Sequence, residues 1–326
     1  MGRLRNITKA VSAALRRRRS VVQGITALLS NIHITNLFKG TLYTGTAKNI
    51  CVPGLNCYSC PAASAACPVG AFQAATGSAK HSFSYYAAGT AMLFGVLTGR
   101  LICGFFCPFG WFQDLLHMIP GKKFSTKKFK ALKYLKYVVL IVFVVLLSIF
   151  LTDETGRGSP YFCKYICPQG ILEAGIPLAI VNPAIRNTLG VLFTWKSLLL
   201  TTVTVLSVFF YRPFCKYICP LGAFYAFFNK ISLYKYHVDS DKCIHCGKCE
   251  SVCGMDVDIS KCQDALECIR CGKCIDSCPV QAIHTSLSCI KRVSHPIRAG
   301  ECSDTANISK KDRKSTRLNS SHNLRS

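Results

Sequence analysis

The sequence predicts a mostly α-helical protein, a polytopic membrane helix bundle of about four spans followed by a small α+β domain. Three observations predict it. Half of the 326 residues are apolar and only 17% are charged, with a positive mean hydropathy, a balance that points to lipid contact. Apolar stretches of near-spanning length alternate with basic blocks. The chain also carries 21 cysteines, grouped in ligand-like spacings unlike those of a short secreted disulfide scaffold. No C-x-x-C is followed by His, which excludes a c-type haem attachment site.

The small domain, 237–290, is read from its cysteines. Cys243 to Pro279 runs CIHCGKCESVCG and then CIRCGKCIDSCP. Each half has the spacing C-x2-C-x2-C-x3-C of bacterial two-cluster ferredoxins. Three thiolates on one tight loop hold three irons of a cubane, and the fourth comes from the other run. This assigns Cys243, Cys246, Cys249 and Cys278 to one [4Fe-4S] cluster, and Cys268, Cys271, Cys274 and Cys253 to a second. Gly247 and Gly272 fall where the backbone must pass close to a cluster. Gly254 stands where the first run should carry its proline, leaving the turn after Cys253 open. C-x2-C pairs also bind zinc, but eight cysteines in this doubled register favour iron–sulfur clusters.

The elements before this domain follow in order. Residues 1–19 form a basic segment with Arg16 to Arg19 in a row. Ser20 to Phe38 is the first and weakest expected span, with an interfacial helix as its alternative. Lys39 to Ser82 carries CVPGLNCYSCPAASAACPVGAF, in which Cys57, Cys60 and Cys67 have cluster-like spacing and Cys51 is a further candidate; a disulfide or zinc site is the competing reading. Phe83 to Phe106 is the second span, with Arg100 near its end expected to snorkel to the headgroups. It runs into CGFFCPFG, with Cys103 and Cys107. Lys122 to Lys136 holds seven lysines, and Tyr134 to Leu151 is the third span. FCKYICPQG follows, with Cys163 and Cys167. Ile171 to Val181 is too short to span and reads as re-entrant or interfacial. Thr194 to Tyr211 is the fourth span and leads into FCKYICPLG, with Cys215 and Cys219. Cys262, Cys289 and Cys302 receive no role. Residues 291–311 form a tail. Residues 312–326 read as the translation of a sequencing-adapter oligonucleotide; setting them aside removes four basic residues and one acid and lowers the formal charge from +25 to +22.

FCKYICP occurs twice and CGFFCPFG is a looser third copy. Cysteines at i and i+4 share one helix face, so each C-x3-C-P supplies half a site; the duller alternative is a proline-broken helix end. With both basic blocks cytoplasmic by the positive-inside rule, the second and fourth spans end on the cytoplasmic side and the third on the other. This predicts an inner membrane-edge site from Cys103, Cys107, Cys215 and Cys219. It also predicts an outer site from Cys57, Cys60, Cys67 and one of Cys163, Cys167 or Cys51. The small domain would then be cytoplasmic, the protein multi-pass in the inner membrane, and the basic patches explained by topology rather than nucleic acid.

At these residues the chain resembles the membrane-bound polyferredoxin or 4Fe-4S binding protein family, which includes the membrane quinol dehydrogenase subunit of periplasmic nitrate reductase and related maturation proteins. The resemblance runs from about Arg16 to Ile283 and implies electron transfer between a quinol pool and a redox partner protein. The chain departs in having three C-x3-C-P motifs and an added upstream cysteine motif, and it has no flavin-attachment domain. An electron carrier with two [4Fe-4S] clusters, and one or two more at the membrane edges, is the expected function. One alternative is a quinol dehydrogenase, for which His117, Glu173 and Asp114 are the candidate proton acceptors; in the duller reading His117 and Asp114 lie on a solvated face and Glu173 pairs with a lysine. The other is a copper reductase or assembly factor using the C-x3-C-P thiolates, which suit Cu(I).

Overall fold

Cysteine–proline pairs set the helix starts that matter most. Proline is favoured at the first helical position, where its missing N–H costs nothing. In the computed structural model, which describes residues 18–77, 85–129, 131–151 and 159–286, helices begin directly after Cys67, Cys107 and Cys219. The main helices are α1 (Arg19–Ser30), α2 (Pro68–Gly77), α3 (Tyr85–Thr98), α4 (Leu101–Phe105) and α5 (Pro108–Met118). They continue as α6 (Ala131–Phe150), α7 (Ile171–Val181), α8 (Val191–Phe209), α9 (Pro213–Tyr217) and α10 (Pro220–Phe228). The small domain adds a two-stranded antiparallel sheet, β1 (Tyr236–Val238) with β2 (Ile283–Thr285), in which His237 faces His284. The basic block up to residue 17, Cys289, Cys302 and the tail lie outside the described residues.

Among the described residues, two helices, α6 and α8, are long and apolar enough to cross a membrane, at 20 and 19 residues. Only 22% and 17% of their apolar windows are buried, so their side chains face outward, unlike those of a soluble core helix. The expectation of four spans is corrected. The first expected span is a helix of 12 residues with Arg19 and Gln23 buried, and it packs on α5. The second is a helix of 14 residues, stopped by Gly99 in the left-handed region (φ +57°). At 1.5 Å per residue neither covers the ~30 Å of a hydrocarbon core.

Arg100 does not snorkel. It is wholly buried, and its Nη1 donates to Glu267 Oε2 (2.8 Å) and Leu266 O (3.0 Å) of the small domain. Lys136, at the end of the basic block, is likewise buried against Glu267. Asn229 completes this joint, accepting from Arg100 N (2.9 Å) and donating to Cys268 O (2.9 Å). Arg270, held at φ 51°, donates to Thr98 O (2.9 Å) and Asn229 O (2.8 Å). Buried ionic groups are tolerated only when paired and hydrogen-bonded. These contacts therefore fix the small domain against the helices, and one apolar core runs from Leu55 and Phe162 through Phe214 to Met255 and Ile269.

Candidate iron–sulfur centres

The two ferredoxin-type runs fold alike. Gly247 (φ 71°) and Gly272 (φ 85°) are left-handed residues that start the short helices Lys248–Ser251 and Lys273–Asp276, the role that permits close backbone approach. Cys243, Cys246, Cys249 and Cys278 line one concavity, with Val238, Ile259 and Ile283 as apolar walls. Cys253, Cys268, Cys271 and Cys274 line a second, walled by Met255, Val257 and Ile269. Cys249 borders the second concavity as well. Backbone N–H groups of Ala282 and Val257 approach Cys278 Sγ (3.3 Å) and Cys253 Sγ (3.4 Å). The missing proline at Gly254 has a steric reason: a Cβ there would lie 2.5 Å from the Tyr211 ring.

The inner group also assembles. Cys103, Cys107, Cys215 and Cys219 are buried and lie close enough for their thiolates to repel one another. Cys107 and Cys219 cap α5 and α10, and their Sγ atoms accept from Gly110 N and Gly222 N, both at 3.4 Å. A helix N-terminus favours negative charge. Around the group, four buried cations (Arg19, Arg100, Lys136 and Arg212) share two carboxylates, Asp114 and Glu267. Positive charge is therefore in excess among these residues, as a bound dianion or thiolate cluster requires.

The outer group differs from expectation. Cys57, Cys67, Cys163 and Cys167 act on one another electrostatically. Gly170 is directed at Cys57 Sγ (3.5 Å from an ideal Cβ) and Gly70 at Cys163 Sγ (3.9 Å). Cys60 instead turns away, donating to Glu173 O (3.1 Å) among Ala62, Ala63 and Ala174. Cys51 sits in a bridge with Ala66, beside Cys67. A signal for this arrangement was present in the sequence. C-P-x-G occurs four times, at 67–70, 107–110, 167–170 and 219–222, so each group takes two capping cysteines from such motifs. The sixth residue after each capping cysteine is Gln73, Gln113, Glu173 or Tyr225.

The two groups are not at opposite membrane edges. A Cβ on Gly54 would lie 2.5 Å from Phe106 O and 3.0 Å from Cys107 Cα. Cys57 is three residues from Gly54, which puts its Cα within about 16 Å of that of Cys107 at full extension, well short of a bilayer core. Tyr225 stands between them, its hydroxyl donating to Pro53 O (3.0 Å). On the other side, a Cβ on Gly104 would lie 2.6 Å from Ile269 O, joining Cys103 to Cys268.

Burial, with the charge of neighbouring cysteines, pushes Cys107, Cys167 and Cys268 up to about 12, so iron binding must drive their deprotonation. Among the described residues, no three His, Cys, Asp or Glu side chains converge on a single point as ligands of one ion would.

The candidate proton acceptors are otherwise engaged. Burial would raise Asp114, but Arg212 and then Arg19 hold it down to about 2; Arg212 Nε donates to its Oδ1 at 2.8 Å. It is a counterion and not a residue of a solvated face. His117 Nδ1 lies 3.2 Å from Ser207 O, and burial lowers its pKa. Glu173 binds amides rather than a lysine, accepting from Cys57 N (2.8 Å) and Asn31 Nδ2 (3.4 Å), and burial lifts it to about 7.

Fold and cysteine groups define an iron–sulfur protein of the electron-transfer class, with multiple [4Fe-4S] clusters. Comparison with known proteins agrees. Two families, each described as a 4Fe-4S binding domain, match the chain, one over residues 81–127, 135–176 and 192–237, the other over 236–258 and 260–284. Uncharacterized protein MJ0750 of Methanocaldococcus jannaschii is 32% identical over 60% of this chain and 76% of its own length. Uncharacterized protein MJ0749 of the same organism is 30% identical over 54% of this chain and 60% of its own. The putative electron transport protein YccM of Escherichia coli is 22% identical over 60% of this chain and 53% of its own. The chain belongs to this family of 4Fe-4S binding domain proteins, and it spans less than two thirds of MJ0749 and YccM. No solved structure matches.

Proposed function

We propose that the chain is a membrane-anchored electron relay with four [4Fe-4S] clusters in series. The proposed ligand sets are Cys243, Cys246, Cys249 and Cys278; Cys253, Cys268, Cys271 and Cys274; Cys103, Cys107, Cys215 and Cys219; and Cys57, Cys67, Cys163 and Cys167. Bound there, each cluster stores one electron. The residues of the chain supply placement, burial and hydrogen bonds to sulfur. The observation that carries this reading is the continuity of the cysteine groups. Cys249 borders both ferredoxin-type concavities, Gly104 adjoins Ile269, and Gly54 adjoins Cys107. Outward-facing α6 and α8 support anchoring in the membrane, with the small domain on the cytoplasmic side by the positive-inside rule. A membrane quinol, implied by the family resemblance, and a redox protein at the exposed Cys246 loop are the proposed partners.

Anaerobic purification with iron and sulfide counting tests this. About sixteen irons per chain supports four cubanes, and about eight restricts clusters to the ferredoxin-type region.

A further inference from the structure

Gln113 is wholly buried, and its neighbours fix which way its amide points. Its Oε1 accepts from the backbone N–H of Phe214 (3.2 Å), a group that can only donate and that helix α9 leaves without an internal acceptor. The NH2 end is thereby left facing Cys215. Nε2 donates to Cys215 Sγ at 3.0 Å, with Phe109 O (3.4 Å) as its other acceptor. Cys215 is buried as well, so the hydrogen bond acts in a low dielectric. A donor on a ligand sulfur stabilises the more negative, reduced state of a cluster and raises its potential. The equivalent places in the outer group, six residues after its two capping cysteines, hold Gln73, whose Nε2 donates to Phe143 O (3.1 Å) and not to a sulfur, and Glu173. Its carboxylate accepts from the Cys57 N–H (2.8 Å) and has no N–H to offer a cysteine sulfur.

We propose that Gln113 sets the reduction potential of the inner cluster, holding it above that of the outer cluster through its hydrogen bond to Cys215. This rests on the reading of Cys103, Cys107, Cys215 and Cys219 as cluster ligands. Gln113 acts through Cys215 and is a positioning and tuning residue.

The test is a mediated redox titration of the anaerobically purified full chain, followed by EPR, with iron counted in each sample. Gln113→Met keeps the length and removes the N–H. Gln113→Glu keeps an acceptor for Phe214 and removes the donor. Both are expected to retain their iron and to lower the midpoint of one cluster, leaving the others in place; a tenfold change in a one-electron equilibrium is about 59 mV. Cys215→Ser should abolish the signal that moves, and Cys163→Ser should abolish one of lower midpoint. Full iron with unmoved midpoints overturns the proposal, as does a common shift of all midpoints or loss of a cluster in both Gln113 variants. Failure of the underlying reading is distinct: the unaltered chain, or Cys215→Ser, would then show an iron content that never included an inner cluster.

Discussion

The heptapeptide FCKYICP occurs at 162–168 and again at 214–220, and the two copies meet different surroundings. In the first, Lys164 is exposed and lies over the Tyr165 ring, 5.4 Å from its centroid. In the second, Lys216 is wholly buried and bonds Asp256 and Thr126. Tyr217 is buried with it, while Tyr165 is 38% exposed. In both copies the two cysteines join a cysteine group, while the intervening residues meet different surroundings. The motif therefore encodes the half-site, and whatever covers it decides the fate of its lysine and tyrosine. Here the small domain, through Asp256, covers the second copy only.

If the half-sites are equivalent, Cys163→Ser and Cys215→Ser should each remove one cluster, about four irons per chain, while Cys60→Ser leaves the iron content unchanged. Loss of iron from the Cys60 variant would break the comparison at its base. The lysines should differ sharply. Lys216→Met removes the buried cation from half-buried Asp256, which keeps Thr126 and Ser125 as donors, and should cost about 3 kcal/mol in unfolding of the detergent-solubilised protein. A smaller effect comes from Asp114, beside the second copy, whose folded pKa of about 2 lies below its ordinary 3.8. Its contribution is fully present above about pH 4 and is lost as pH falls toward 2. At 1.4 kcal/mol per unit this is about 2 kcal/mol, and Asp114→Asn should flatten that limb of the stability–pH profile. Lys164→Ala should change stability by less than about 1 kcal/mol, as exposed cation–aromatic pairs do.

The same contrast shows what was legible in the sequence. The doubled ferredoxin spacing is local, so which cysteines share a concavity could be read from residue counts. The expected pairing of Cys103 and Cys107 with Cys215 and Cys219 rested on the repeated half-site and on the positive-inside rule applied to four spans, of which two are long enough among the described residues. Apolar length alone did not distinguish α6 and α8 from the shorter helices ending at Ser30 and Thr98, because the break at Gly99 depends on Arg100 turning inward to Glu267. That ion pair joins residues far apart in the chain and has no local signature. In the outer group, the regular spacing of Cys57 and Cys60 put Cys60 beside Cys57 and Cys67, and the C-P-x-G at Cys167, which marks a second capping cysteine, was left as one of three options. The distance between inner and outer groups rested on counting spans, and the fold of the Gly54 loop onto Cys107 is invisible to such a count.

The capping cysteines have a last consequence. On the proposed ligand sets, Cys107 joins Cys219 and Cys67 joins Cys167, each closing a loop of about a hundred residues, a constraint on the unfolded chain of the order of 4–5 kcal/mol by the entropy argument used for disulfides. Iron thus serves as a cross-link as well as an electron store. On those ligand sets, loss of one cluster would release a long loop and raise the chain's susceptibility to proteolysis.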